Sequence, residues 1–187
     1  LLAAALRHSN PKETPKTQAA KRWVPWLCAY TGARVGEIAQ LRREDVRKEE
    51  GVWAINITPE AGTTKDGDAR LVALHENLLD MGFLDFVKAS ADGPLFLSVG
   101  RTRDGGINLR GVWKGLKNRL QKFARETVTD TRVQPNHGWR HRFKTIGRRI
   151  NMPRDVLHGI QAHRTGDVAD DYGDVEIAVQ AREIEKM

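Results

Sequence analysis

Residues 135–143 read Pro-Asn-His-Gly-Trp-Arg-His-Arg-Phe and open a segment whose large apolar residues recur at helical spacing. Four residues at i, i+4, i+7 and i+11 predict the buried stripe of an amphipathic helix: Trp139, Phe143, Ile146 and Ile150. His137 and Arg140 lie at the start of this helix and away from the stripe, so both side chains can point into the same space. Because the N–H groups of a helix N-terminus also attract negative charge, the segment predicts a phosphate site.

The positive charge of the chain is concentrated around this segment. The 187 residues carry a net charge of +7, and between Arg101 and Arg154 fifteen Lys or Arg residues stand against three acidic residues. Such a block favours a polyanion partner, most simply double-stranded DNA, over a merely solvated face. On a predicted helix from Arg110 to Arg125, three basic residues outside the apolar stripe are expected to bind DNA: Lys114, Lys117 and Arg125.

Length and composition exclude several classes of protein. A chain of 187 residues is long enough for one domain with a short extension and a sizeable core. Its single cysteine, Cys28, lies in an apolar run, which excludes an intrachain disulfide and a CxxC metal site. No apolar run reaches membrane-spanning length and no secretory leader is visible, so we expect a soluble, intracellular protein.

The remaining pattern predicts an α+β fold that is mostly α-helical with a small antiparallel β-sheet. A helix from Thr17 to Tyr30 is expected to stop at Gly32. Residues 52–57 and 69–74 have strand composition and are separated by a polar loop that carries Lys65, which indicates a hairpin. We expect three regions: an N-terminal remnant and linker (1–16), a main domain (17–173) and a C-terminal tail helix (174–187).

Four short motifs, in chain order, resemble the conserved boxes of the tyrosine recombinases, the phage-integrase family. Residues 31–38, Thr-Gly-Ala-Arg-Val-Gly-Glu-Ile, resemble the first arginine box and contain Arg34. Lys65 lies where the family has its β-hairpin lysine, and residues 137–140 are similar to its HxxR box. His163, with Tyr172 nine residues further on, resembles the closing histidine and the nucleophile. The resemblance implies the DNA breaking-rejoining catalytic fold and a metal-independent integrase activity without a cofactor.

These residue types suit the chemistry that the family performs. A tyrosine that attacks a phosphodiester forms a phosphotyrosine, yet a phenol of pKa near 10 is only about one part in a thousand ionised at neutral pH, a deficit of roughly 4 kcal/mol. Arg34 and Arg140 can clamp the non-bridging oxygens of the attacked phosphate. Lys65 is the expected general acid for the leaving 5′ oxygen, and His137 and His163 are expected to bind the phosphate or move protons.

Each motif has a simpler interpretation, and the function has two alternatives. Tyr172 could be a surface tyrosine, Lys65 a solvated turn residue and His163 a loop histidine. Arg34 and Glu37 could form a plain i, i+3 ion pair, and we place Glu37 outside the expected catalytic set. A type IB topoisomerase-like enzyme would share the chemistry, and an idle DNA-binding domain would share the scaffold. The spacing of His137 to the next histidine also matches two zinc ligands, although no third ligand follows in a recognisable pattern.

Two departures from the family pattern are visible. Trp139 lies inside the HxxR box where a leucine-like residue is common, and Gln161-Ala162 replaces a frequent Leu-Gly pair before His163. The family usually carries an N-terminal DNA-clamping domain, whereas only residues 1–6 precede the linker, so we expect a piece of a longer protein with weakened DNA binding.

The tail after Tyr172 has apolar residues on two sides, which predicts that it docks into a groove. That groove could belong to its own domain or, as the resemblance implies, to a neighbouring subunit. We therefore expect a monomer that assembles on DNA, as a tetramer during recombination, with possible accessory DNA-bending proteins. The expected location is the cytoplasm of a bacterium or of a phage-infected host cell.

Overall fold

A computed structural model describes residues 1–62, 67, 69–99, 108–163 and 175–187. Over these ranges the chain is mostly helical, and its helices have the following bounds: α1 Leu2–Leu6, α2 Pro15–Thr31, α3 Val35–Ala39, α4 Glu76–Asp80, α5 Phe83–Ala89, α6 Leu109–Arg125, α7 Pro135–Arg149, α8 Arg154–Gln161 and α9 Ile177–Ile184. Short 3-10 turns cover Arg43–Asp45 and Pro59–Ala61. None of the described helices combines the length and the apolar character needed to cross a membrane.

Helix α2 is the element on which four of the described helices pack. Its N-terminus is capped by Thr14, whose hydroxyl oxygen accepts a hydrogen bond of 3.3 Å from the N–H of Thr17. It ends at Gly32, which has φ 61° and donates its N–H to the carbonyl of Cys28 at 3.0 Å. Helices α1, α3, α6 and α7 all contact it. The helix and its stop at Gly32 are therefore confirmed.

A three-stranded antiparallel sheet in the order β1-β2-β3 lies beside the helices. Its strands are β1 Val46–Glu49, β2 Val52–Ile57 and β3 Arg70–Ala73. The β2–β3 pair is the predicted hairpin. Strand β1 was missed because three of its four residues are charged, and it forms by pairing with β2 across a tight turn at residues 50–51, where both φ angles are positive.

The tail helix α9 packs on its own domain. It contacts β3, β2 and α8, and it buries Ile177 and Ile184. Glu185, just past its end, accepts a 2.6 Å hydrogen bond from the N–H of Glu76 at the start of α4. In the single chain, therefore, the groove that receives the tail is made by the sheet and α8 of the same molecule.

Candidate active site

Helix α7 carries the HxxR residues at its N-terminus, as the sequence predicts. Pro135 occupies the first helical position, which suits a residue that lacks an N–H. His137 is exposed and Arg140 is half-buried, whereas Phe143 is fully buried and anchors the helix in the core. The rest of the predicted stripe, including Trp139, is only half-buried. The first turns of the helix thus carry an imidazole and a guanidinium next to the residue that anchors the helix.

Arg34 and Glu37 form the predicted ion pair, but the pair has a further member. Arg34 Nη1 donates to Glu37 Oε1 at 2.7 Å, and the Arg34 backbone N–H donates to Oε2 at 3.0 Å. Arg70, on β3, donates from Nη2 to the same Oε2 at 2.7 Å. Glu37 is only 4% exposed. A buried carboxylate therefore lies between two guanidinium groups.

The charge state of Glu37 follows from these contacts. Burial alone would raise the pKa of Glu37, because a buried carboxylate loses its hydration. The charge of Arg70 and the hydrogen bonds from Arg70 and Arg34 act in the opposite direction and hold the pKa below its ordinary value. The carboxylate is thus ionised at neutral pH and fixes the orientation of Arg34.

Gly32 joins the two arginine motifs. Arg140 Nη1 donates to the carbonyl oxygen of Gly32 at 3.3 Å, two residues before Arg34. A Cβ at Gly32 would lie 2.7 Å from both the Phe143 ring and the side-chain nitrogen of Gln161. The close approach therefore requires glycine, as does the positive φ angle.

An open pocket of about 460 Å³ separates α6 from the starts of α3 and α7. Its lining includes both Arg34 and His137, so the structure brings these two predicted residues together. The other lining residues come from α3, α6 and the start of α7: Val35, Gly36, Lys117, Gln121, Arg125, Gln134, Pro135 and Asn136. Three of the ten lining residues are cationic and none is acidic, which suits an anion.

Helix α6 is fixed against this pocket by Trp113. The indole N–H donates to the carbonyl oxygen of Gly36 at 2.9 Å, and Lys117 Nζ lies 4.1 Å from the centre of an indole ring. A Cβ at Gly36 would lie 2.8 Å from that indole. Sequence reasoning missed Trp113, although its position one residue after Val112 in the predicted stripe could have indicated a packing role.

The three predicted DNA-binding cations have different surroundings. Lys114 is exposed, and Lys117 lines the pocket. Arg125 also lines the pocket, but its guanidinium donates to the carbonyls of Val128, Asp130 and Val133 at 3.3, 2.8 and 2.6 Å. Arg125 thus braces the loop that leads into α7.

His163 follows α8, whose end is attached to α7. The His163 N–H donates to the carbonyl of His158 at 2.9 Å, and the two imidazole rings are 4.9 Å apart. Gln161 is 1% exposed and donates from Nε2 to the carbonyl of Arg140 at 2.9 Å. Gln161, one of the departures from the family pattern, therefore ties the His163 segment to the HxxR helix.

Two predicted site residues, Lys65 and Tyr172, lie outside the described residues. The other tyrosine, Tyr30, is on α2, where its hydroxyl oxygen accepts from Asn77 Nδ2 at 2.7 Å and its ring lies 4.1 Å from that of His75. Among the described residues, no three His, Cys, Asp or Glu side chains are grouped in a way that could hold a metal ion.

A sequence comparison identifies the family. The model of the phage integrase family matches residues 5–177, which is most of the chain. The chain belongs to the phage integrase family. The family resemblance and the fold class predicted from the sequence are both confirmed. No curated protein sequence matches this integrase-family chain.

Solved structures share the fold of this integrase-family chain at low sequence identity. The integrase from mycobacterium phage Brujita is 18% identical with a TM-score of 0.61, and the match covers 98% of this chain and 54% of that one. The XerH site-specific recombinase bound to difH substrate, in a pre-cleavage complex, is 17% identical with a TM-score of 0.58 over 88% of this chain and 44% of that one. XerA recombinase is 19% identical with a TM-score of 0.51, covering 96% and 66%. The chain spans about half the length of the first two.

Proposed function

We propose that this chain is the catalytic domain of a site-specific DNA recombinase that cleaves and rejoins DNA strands through a 3′-phosphotyrosyl intermediate. The observation that carries the proposal is the shared pocket of Arg34 and His137, beside a cationic helix, in a chain of the phage integrase family. The XerH relative was solved with its difH substrate both before and after cleavage, which supports DNA as the substrate class.

In the proposed reaction the Tyr172 hydroxyl oxygen attacks a DNA phosphorus. An O–P bond to tyrosine forms while the bond from phosphorus to the 5′ oxygen breaks. The phenol proton passes to a base of the site, for which His137 and His163 are the candidates, and Lys65 gives a proton to the leaving 5′ oxygen. Attack of a 5′ hydroxyl on the phosphotyrosine reverses these steps and rejoins the strand.

The positive groups of the pocket stabilise the charge that builds up on the phosphate. Arg34 lines the pocket, and Arg140 does not line it but hydrogen-bonds to Gly32 two residues before Arg34. The two guanidinium groups would hold the non-bridging oxygens, and Arg34 is already oriented by the buried Glu37 carboxylate. The N-terminus of α7, whose helix dipole favours negative charge, lies at the edge of the same pocket. Because the phosphotyrosine conserves the energy of the cleaved bond, we expect the reaction to proceed without ATP and in the presence of a chelator.

DNA binding and assembly are part of the same proposal. Lys114, Lys117 and Arg125 would contact the DNA backbone beside the pocket. The protein would be a monomer in solution and assemble on DNA, as a tetramer during strand exchange and with accessory DNA-bending proteins where the site requires them. We place this activity in the cytoplasm of a bacterium or of a phage-infected host cell.

Covalent trapping tests the proposed chemistry. A pool of end-labelled duplexes with randomised sequence and a nick would be incubated with the protein in chelator, and adducts would be selected on denaturing gels and sequenced. We expect the parent protein to form adducts and Tyr172→Phe to form none, since that change removes one oxygen and nothing else. Tyr30→Phe is the matched control and should retain the adduct. Adduct formation by Tyr172→Phe at the parental level would rule out the proposed nucleophile.

A further inference from the structure

Arg70 connects the Arg34–Glu37 pair with the end of α8, although it belongs to none of the family motifs quoted above. It begins strand β3, and its side chain is 11% exposed. Its Nη2 donates to Glu37 Oε2 at 2.7 Å, and its Nε donates to the carbonyl of Ile160 at 3.2 Å. That carbonyl belongs to the last turn of α8, three residues before His163.

The electrostatic consequence follows from counting charges. Arg34 and Glu37 alone would form a neutral pair, so the carboxylate that orients Arg34 would also cancel its charge toward an anion. Arg70 engages the second oxygen of the same carboxylate, which leaves the three-residue group with a net positive charge. Because Arg34 lines the pocket and Arg70 is nearly buried, the unbalanced charge is presented by Arg34.

The second contact of Arg70 has a mechanical consequence. The last carbonyls of a helix have no partner within it, so a donor is needed where the helix end is packed against protein. Arg70 supplies that donor to α8, and Gln161 then reaches Arg140 from the same helix end. The segment before His163 is thus attached both to the sheet and to α7.

We propose that Arg70 is a positioning residue: it shares the Glu37 carboxylate with Arg34, so that Arg34 keeps a net positive charge toward the pocket, and it holds the end of α8 that leads to His163. This inference rests on the proposed function and deepens it. Arg70 would thus act on the bound phosphate through Arg34, without touching the substrate itself.

The test uses the DNA duplex recovered from covalent trapping with the full chain. Removal of a group that supports a ligand from behind, as measured at metal sites, typically costs about 10- to 100-fold, and we expect Arg70→Met to slow adduct formation by a similar factor. DNA affinity, measured by fluorescence anisotropy with the same duplex, should change less than about threefold, because Arg70 is nearly buried and the open face of α6 is unaltered.

A charge rescue separates this role from simple structural support. In the double variant Glu37→Gln, Arg70→Met the carboxylate charge is gone as well, so Arg34 again carries a net positive charge. We expect the double variant to form adducts about fivefold or more faster than Arg70→Met alone. A purely structural role predicts a double variant as slow as the single variant or slower, and that result would overturn the proposal.

Two further variants keep the test decisive. Arg42→Met removes an arginine from a different buried carboxylate, that of Asp45 at 2.7 Å, and should leave the rate of adduct formation unchanged. If Arg70→Met does not fold, Arg70→Lys carries the test, because lysine keeps the charge beside Glu37 and should retain at least a third of the parental rate. A Lys variant that is folded but slowed more than tenfold would refute charge sharing. Absence of adduct with the parent protein would refute the proposed function instead.

Discussion

Replacing Gly32 by alanine should destabilise the domain far more than the same change at a glycine in open space. Gly32 has φ 61°, where an L-residue costs about 1–2 kcal/mol, partly offset by the roughly 0.4–1 kcal/mol that alanine saves in the unfolded chain. The added methyl would also lie 2.7 Å from the buried Phe143 ring and from Gln161 Nε2, and overpacking of this kind costs about 1–3 kcal/mol. We expect Gly32→Ala to lower the free energy of unfolding by about 2–4 kcal/mol.

Gly51→Ala is the matched control for this prediction. Gly51 has φ 86°, but no atom lies within 4 Å of the position where its Cβ would be. Its backbone cost is therefore no smaller than that at Gly32, while the packing cost is absent. Urea denaturation of both variants, at unchanged m-value, should give a difference of at least about 1 kcal/mol. If the free energies of unfolding of the two variants differ by less than about 0.5 kcal/mol, close packing of Gly32 against Phe143 and Gln161 does not require glycine at this position.

Two other predictions concern DNA binding and pH. Changing Lys114 and Lys117 to glutamine should make the plot of log binding constant against log salt concentration less steep, by about 0.9 for each lost phosphate contact. The same changes at Lys48 and Lys88 should leave the slope unaltered. Equal slopes for the two double variants would place the DNA elsewhere. Burial lowers the pKa of His75 from its ordinary value of 6.5, against the opposing charges of nearby carboxylates. As the pH falls below about 6.5, the unfolded chain therefore binds more protons at His75 than the folded chain does, so the free energy of unfolding should decrease between pH 7 and 5.5. The decrease should be smaller in His75→Asn, because asparagine keeps an acceptor for the backbone N–H of Asn77 but does not titrate. An identical decrease in the variant, measured by urea midpoints at the two pH values, would contradict this origin.

Local sequence signals were sufficient for the elements that carry the site. The apolar spacing around Phe143 predicted α7, and Gly32 marked the end of α2, because both signals depend on residues only a few positions apart. Strand β1 gave no such signal: of its residues only Val46 is buried, and the strand exists because β2 offers it a partner. Gly51 could have indicated the turn, since glycine readily adopts the positive φ angle that the structure shows there.

The surroundings of Glu37 show what sequence spacing cannot provide. Its distance from Arg34 predicted an i, i+3 ion pair, and that pair is present. Arg70 is 33 positions further along the chain, and only the pairing of β3 with β2 brings it to the same carboxylate. The local pattern therefore identified the contact but not the charge balance, which depends on tertiary structure.

For the basic residues between Arg101 and Arg154, too, the sequence does not reveal the tertiary contacts, and Arg125 is an example. Counting charges assigned Arg125 to DNA, yet its guanidinium donates to three carbonyls of the loop before α7. Those hydrogen bonds do not neutralise it, since a guanidinium stays protonated, and its charge still acts on phosphates within a screening length of roughly 8–10 Å. A substitution at Arg125 would therefore change the loop that positions His137 together with the potential of the pocket. Lys114 is exposed and forms no part of that loop, so a change in salt dependence at Lys114 can be attributed to a lost phosphate contact, whereas the same change at Arg125 cannot.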